Sequence, residues 1–220
     1  VTSGVAGALL AVSLSRWGFA WPIAIAVAML AGIAIGLFIG ILVAKIGIPS
    51  FVVTLALFLA FQGLILVIIG EGGNVRVTDG VILAIENKNL PIWLGWVFYA
   101  VIIIGYFLFS FVGRSRRLAR GFAANSLSMI LIKTAVMAVI GLAIVWALSL
   151  ERSVNPELNP LSGVPIIVPI IAVLTVVFGF ILNRTTFGRH MYAVGGNVEA
   201  ARRAGISVSR IRIIVFTICS

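Results

Sequence analysis

The chain has 220 residues, 62% of them hydrophobic and only 10% charged, with a mean hydropathy of +1.24 and a formal net charge of +10. Soluble domains carry about 25% charged residues, and no soluble interior of this size can hide so much apolar surface, so the natural solvent is lipid and a soluble enzyme or nucleic-acid-binding domain is excluded. The excess of base is then a matter of membrane sidedness, and the lone Cys219 permits no intrachain disulfide.

In chain order, the first apolar run, Val1–Leu14, is short and begins without a methionine. Five long runs follow: Trp21–Ala44, Ser50–Ile69, Ile92–Val112, Leu127–Leu150 and Val164–Leu182. Each is near the ~20 residues that cross a bilayer as a helix. The last run, Ile211–Ser220, stops after a few apolar residues. Both terminal runs read as cut membrane helices, so residues 1–220 are expected to be one transmembrane domain, an internal piece of a longer polytopic chain. The runs are continuously apolar rather than alternating, which argues against a β-barrel. The expected fold is all-α: a polytopic transmembrane helical bundle of about six to seven spans, with one short helix on the cytoplasmic side.

Small residues recur at every fourth position of the second run: Ala20, Ala24, Ala28, Gly32, Gly36, Gly40 and Ala44. They form one narrow stripe, and inside lipid close backbone approach drives helix association. The stripe, with Gly32, Gly36 and Gly40 at its centre, predicts a helix pressed against a neighbour. The spans contain no Asp or Glu. Ion-coupled carriers commonly place ionisable groups at mid-membrane depth, so that class is disfavoured. The polar residues within spans are mild, among them Thr54, Gln62, Thr134 and Thr175. A weakly polar path suits a neutral, hydroxyl-rich solute. Thr54 and Gln62 are candidates to line it, and a helix–helix hydrogen bond is the competing reading of both.

Charges fall almost entirely in the connectors, and alternate connectors differ. One set holds Lys45, Arg114, Arg116, Arg117, Arg120, Arg184, Arg189, Arg202, Arg203, Arg210 and Arg212, with Lys133 able to snorkel to the same side. The other holds Arg16, Arg76, Lys88 and Arg152 with Glu71, Asp79, Glu86, Glu151 and Glu157. Twelve bases face one acid, Glu199, on the first side; four face five on the second. The positive-inside rule puts the first set in the cytoplasm. The opposite segments "GEGGNVRVTDG" and "ERSVNPELNPLSG" have turn chemistry, and Trp17, Trp21, Trp93 and Trp96 sit near that interface as headgroup anchors.

No enzyme signature is present. His190 and Cys219 are remote from each other and cannot build a metal cluster; His190 is expected to be solvated in a basic loop. There is no G-x-x-x-x-G-K-[ST] phosphate loop. "GEGGNVRVTDG" resembles a phosphate cradle superficially, with no strand before it and no suitable helix expected after it. No catalytic residue, metal or cofactor is expected on this chain.

One cytoplasmic stretch stands out: "GGNVEAARRAGIS", Gly195 to Ser207. Asn197 can cap a helix, Glu199 lies in its first turn, and Gly205 can end it. The piece between, "VEAARRA", is about two turns long, too short to be stable alone. Ala200, Ala201 and Ala204 are expected on one small face, with Arg202 and Arg203 elsewhere. Such a face suits insertion into a partner's groove, with arginines pairing to acidic groups; lying on lipid headgroups is the alternative.

The Glu-Ala-Ala-x-x-x-Gly spacing at Glu199–Gly205 resembles the cytoplasmic loop of ABC importer permeases. Thr185–Ser220 and Ala44–Ile68, including Pro-Ser-Phe-x-x-Thr-Leu at Pro49–Leu55, resemble the ribose/xylose-type monosaccharide permeases, and the likeness covers most of the chain. No Ile-x-Leu-Pro tail follows Gly205. The block Gly113–Gly163 adds a basic loop and a span, bringing the chain closer to the xylose-type members. The resemblance implies a bacterial inner-membrane, multi-pass permease for a monosaccharide, a pentose such as xylose. It also implies a second permease copy, separate ATPase subunits that hydrolyse the ATP, and an extracytoplasmic sugar-binding protein. On that resemblance Gly195, Gly196, Asn197, Glu199, Ala200, Ala201, Arg202, Arg203 and Gly205 form the ATPase-coupling loop. A permease for another small solute, such as a branched-chain amino acid, shares the same fold and loop, and an ion-coupled carrier is the rival of a different class.

Overall fold

The computed structural model describes residues 2–70, 73–121, 126–153 and 161–220. Glu71 and Glu157, assigned above to the acid-bearing side, lie outside the described residues. Ten α-helices occur among the described residues: α1 Thr2–Ser15, α2 Trp21–Ile41, α3 Ser50–Ile69, α4 Gly80–Asn87, α5 Ile92–Ala119, α6 Leu127–Ser149, α7 Ile167–Arg184, α8 Thr186–Gly196, α9 Val198–Arg203 and α10 Val208–Cys219. A π-helical turn, Leu42–Ile46, extends α2 and ends at Gly47 with φ of +83°, so the apolar helix runs from Trp21 to Ile46. Five helices are long and apolar enough to cross a membrane: Trp21–Ile46, Ser50–Ile69, Ile92–Ala119, Leu127–Ser149 and Ile167–Arg184. Helix α1 is apolar but shorter.

These spans fall on the apolar runs, and two differences from the sequence reading are informative. Helix α5 does not stop where hydropathy does; it continues through Arg114, Arg116 and Arg117 to Ala119. Its 28 residues rise about 42 Å, more than the ~30 Å hydrocarbon layer, so its basic turns stand in the headgroup zone. Hydropathy marks the edge of the lipid, whereas backbone hydrogen bonding sets the end of a helix. A second difference is α4. The segment after "GEGGNVRVTDG" does hold a helix: the Asp79 carboxylate accepts from the backbone N–H of Val81 (2.9 Å) and Ile82 (3.1 Å). Its start is thus already occupied by an anion of the chain's own.

The chain divides into two compact units, Val1–Leu83 with Leu174–Ser220, and Ala84–Val173. In the first, α2 packs against α1 and α10, and α1 also packs on α3. Ala24, Gly32, Gly36 and Gly40 of the small-residue stripe are buried. A Cβ added at Gly36 would lie 2.6 Å from Thr217 Cα, and one at Gly40 would lie 2.8 Å from Ile213 Cα. The register runs Gly32 to Ser220, Gly36 to Thr217 and Gly40 to Ile213, so α2 and α10 are antiparallel. A second cluster, Ile39, Val43 and Val53 with Leu57 and Phe216, ties the π-helical turn to α3 and α10.

In the second unit α5 and α6 pack together. Tyr99 lies across Gly141, where a Cβ would come within 2.8 Å of its ring, and its hydroxyl donates to Ala138 O at 2.8 Å. The connectors pair as well: Leu90 N–H donates to Val164 O (2.7 Å) and Ile166 N–H to Lys88 O (3.2 Å), around an antiparallel bridge of Asn89 with Pro165.

Candidate functional site

The candidate site is the run α8–α9–α10 in the first unit. Its entry is a sharp corner after α7. Thr185 caps α8, its Oγ1 accepting from Gly188 N–H at 3.2 Å. A Cβ at Gly188 would fall 2.1 Å from Leu182 O, so only glycine fits there. Helix α8 was not expected from the sequence, which placed His190 in a loop; His190 lies exposed on α8 instead. The signal was present, in a capping threonine followed by Phe187, Met191 and Val194 at helical spacing.

Gly195 and Gly196 end α8. Asn197, extended at φ −152°, terminates α8 and caps α9: its N–H donates to Ala193 O at 3.1 Å, and its Oδ1 accepts from Ala200 N–H at 2.9 Å. Helix α9 closes with the glycine-terminated motif in which Ile206 N–H donates to Ala201 O and Gly205 N–H to Arg202 O, both at 3.0 Å, with Gly205 at φ +80°.

The alanines do not share one face. Ala201 turns inward, 4% exposed, into a core with Val194, Val208 and Ile211, flanked by Met191, Val198 and Ile206. Ala200 and Ala204 stay exposed beside Gly205. A two-turn helix therefore has its stabilising partner within the chain, in α8 and α10. Glu199 pairs with Arg202 (3.8 Å) and Arg203 (3.3 Å), all three well exposed. Such pairs contribute little stability in water; the acid at the first turn and the bases at the last also complement the helix dipole. The outward surface thus carries one acid, two arginines and small residues that permit close approach, with Tyr192 of α8 exposed nearby.

A family described as "Branched-chain amino acid transport system / permease component" matches residues 1–220. The chain belongs to this permease family. Among its relatives, the xylose transport system permease protein XylH of Haemophilus influenzae is 33% identical over 213 residues, 97% of this chain and 54% of the relative. XylH of Escherichia coli K12 is 34% identical over 215 residues, 98% of this chain and 52% of the relative. The L-arabinose ABC transporter permease protein AraH of Azospirillum brasilense is 58% identical over 43 residues, 20% of this chain and 13% of the relative. The permease chain spans about half the length of the xylose relatives it matches. No solved structure matches it.

The permease's candidate path residues are not brought together. Thr54 lines a cavity of about 350 Å³ with Thr2, Ser3, Ile39, Leu57 and Phe216. Its hydroxyl lies 3.0 Å from Ser50 O and 3.1 Å from Phe51 O, so its proton is engaged and lone pairs remain to accept from a ligand. Gln62, about two turns further along α3, is exposed and away from that cavity.

Proposed function

We propose that this chain is the membrane-spanning permease subunit of an ATP-driven importer for a monosaccharide, a pentose such as xylose, in the bacterial cytoplasmic (inner) membrane. The observation that carries the reading is the extent of likeness: similarity to xylose permeases runs through nearly the whole chain, while the arabinose permease matches a fifth of it. A neutral cargo agrees with five spans that hold no Asp or Glu.

On this reading α9 is the contact for a separate ATPase subunit, which performs the ATP chemistry. Glu199, Ala200, Arg202, Arg203 and Gly205 present the surface, and Gly195, Gly196 and Asn197 shape its approach. Ala201 hands the displacement through Val208 and Ile211 to α10, and α10 abuts Gly36 and Gly40 of α2. Thr54, in its cavity with Ile39, Leu57 and Phe216, is the contact of the solute path on α3, and Gln62, about 12 Å further along the axis and off that cavity, stays a second candidate contact. The assembly includes a second permease copy, an extracytoplasmic sugar-binding protein and surrounding lipid. No cofactor or nucleic acid is involved.

The test is co-purification of the full-length protein with candidate ATPase subunits, wild type beside a Glu199→Arg, Gly205→Leu double variant, with uptake of labelled xylose and leucine in parallel. Wild type should retain an ATPase and take up xylose; the variant should lose both. Failure of wild type to bind any ATPase would overturn the coupling role, and leucine uptake without xylose uptake would overturn the choice of cargo.

A further inference from the structure

The four arginines that end α5 are not equivalent. Arg114 and Arg117, with Tyr106 and Ser110 of the same helix, face Met129 and Lys133 of α6 across a cavity of about 250 Å³. Arg116 and Arg120 are not on it. A purely topological signal needs basic residues on one side of the membrane only; it does not need three of them to converge on one space. The lining holds three cations and two hydroxyls, and no carboxylate. The side chains of Arg117 and Lys133 have no hydrogen-bond or ion-pair partner among the described residues. Unpaired cations held close together repel one another, and an anion between them removes that repulsion.

Depth narrows the anion. The cavity sits where α5 leaves the apolar layer and α6 enters it, at the headgroup level of the basic side. Its rim is apolar: Phe109 is 69% exposed and Met129 47%. The α6 N-terminus, capped by Ser126, adds the positive end of a helix dipole nearby. Cations and hydroxyls around a small space, with exposed apolar side chains on the lipid side, match a phosphate that carries acyl chains.

We propose that the α5–α6 cavity binds the phosphate of an anionic phospholipid in the cytoplasmic leaflet, with Arg117 and Lys133 as its principal contacts, Arg114 and the Tyr106 and Ser110 hydroxyls completing the cradle, and Phe109 and Met129 against the acyl chains. The site lies within one compact unit and does not depend on which solute is carried.

The experiment is native mass spectrometry of the delipidated full-length protein with added phosphatidylglycerol or phosphatidylcholine, and with inorganic phosphate alone. Wild type should retain phosphatidylglycerol in preference to phosphatidylcholine. Arg117→Gln with Lys133→Gln should weaken that retention roughly thirtyfold, about fivefold for each cation near the membrane surface. Arg116→Gln with Arg120→Gln removes the same charge off the cavity and should leave retention near wild type. Ser110→Phe fills the cavity while keeping every positive charge, so it should also lose retention, independently of any effect on insertion. Equal loss in both glutamine pairs, or full retention in Ser110→Phe, would overturn the site. Binding of inorganic phosphate without phosphatidylglycerol would replace the lipid with a soluble anion and overturn the proposal as stated.

Discussion

Gly205 decides how α9 ends. Its φ of +80° is a left-handed conformation, while a Cβ there meets nothing within 4 Å. Replacement therefore strains the backbone without crowding a neighbour within the chain. Gly205→Ala is expected to destabilise this terminus by about 1–2 kcal/mol, and Gly205→Asn, which tolerates left-handed geometry, by less. Faster hydrogen exchange at the Ile206 amide, in the order Ala, Asn, Gly, would show it; equal exchange in all three would refute the capping role. In the second unit Glu151 holds two backbone amides. Its carboxylate accepts from Leu161 N–H (2.7 Å) and Ser153 N–H (3.0 Å), and these bonds, the Leu161 one foremost, hold its pKa below the ordinary value. The sign follows: the ionised form is the one bound, so the contacts to Leu161 and Ser153 are fully made above the usual carboxylate range and are lost as pH falls through the lowered pKa. Protection of the Leu161 amide should drop in acid in wild type, and be low and independent of pH in that range in Glu151→Gln. Both residues were partly legible in the sequence. A glycine after a helix and an acid in a turn are recognisable chemistry, but the partner Leu161 is fixed only by the fold.

Between elements, the every-fourth-residue stripe on α2 was readable as a packing face because the period belongs to the helix itself. Its partner was not, because α10 is remote in sequence and its apolar run is short. Contact geometry separates the glycines that matter from those that do not. Gly36→Ala forces a methyl against the α10 backbone, which cannot swing aside as a side chain can, and should cost about 1–3 kcal/mol. Gly63 of α3 has open space where a Cβ would go, so Gly63→Ala should be neutral or stabilising by up to about 1 kcal/mol from helix propensity. Thermal unfolding in detergent compares the two, and an equal effect of both would remove the special role of the stripe. Helix α8 was missed for a physical reason. Gly188, Gly195 and Gly196 disfavour a helix locally, and the core formed with Ala201 and Ile211 overrides that preference.

At the scale of the molecule, charge placement predicted sidedness, and the antiparallel register of α2 with α10 is the one it requires. On that topology α2 descends toward Lys45, and α10 rises from Arg210 and Arg212. The prediction is accessibility. In a Cys219→Ser background, because Cys219 is exposed, a membrane-impermeant maleimide on intact cells should label Glu86→Cys and spare Tyr192→Cys. Inverted vesicles should reverse the pattern, and labelling of both positions from one side would overturn the topology. The five spans were legible because bilayer thickness imposes a minimum length on any apolar helix that crosses it. The cavity between α5 and α6 was not, since the same arginines serve topology equally well on any face of the helix.

Asn197 is the entire joint between α8 and α9. A flexible tether stores displacement as slack, because free residues can change their torsions before anything beyond them moves. One extended residue, bonded backward to Ala193 and forward to Ala200, has almost no such compliance. On the proposed coupling role, a displacement of α9 passes through this joint to the helices on either side with little loss to slack, and the stiffness of the corner limits how much of it can be absorbed before α8 and α10 respond.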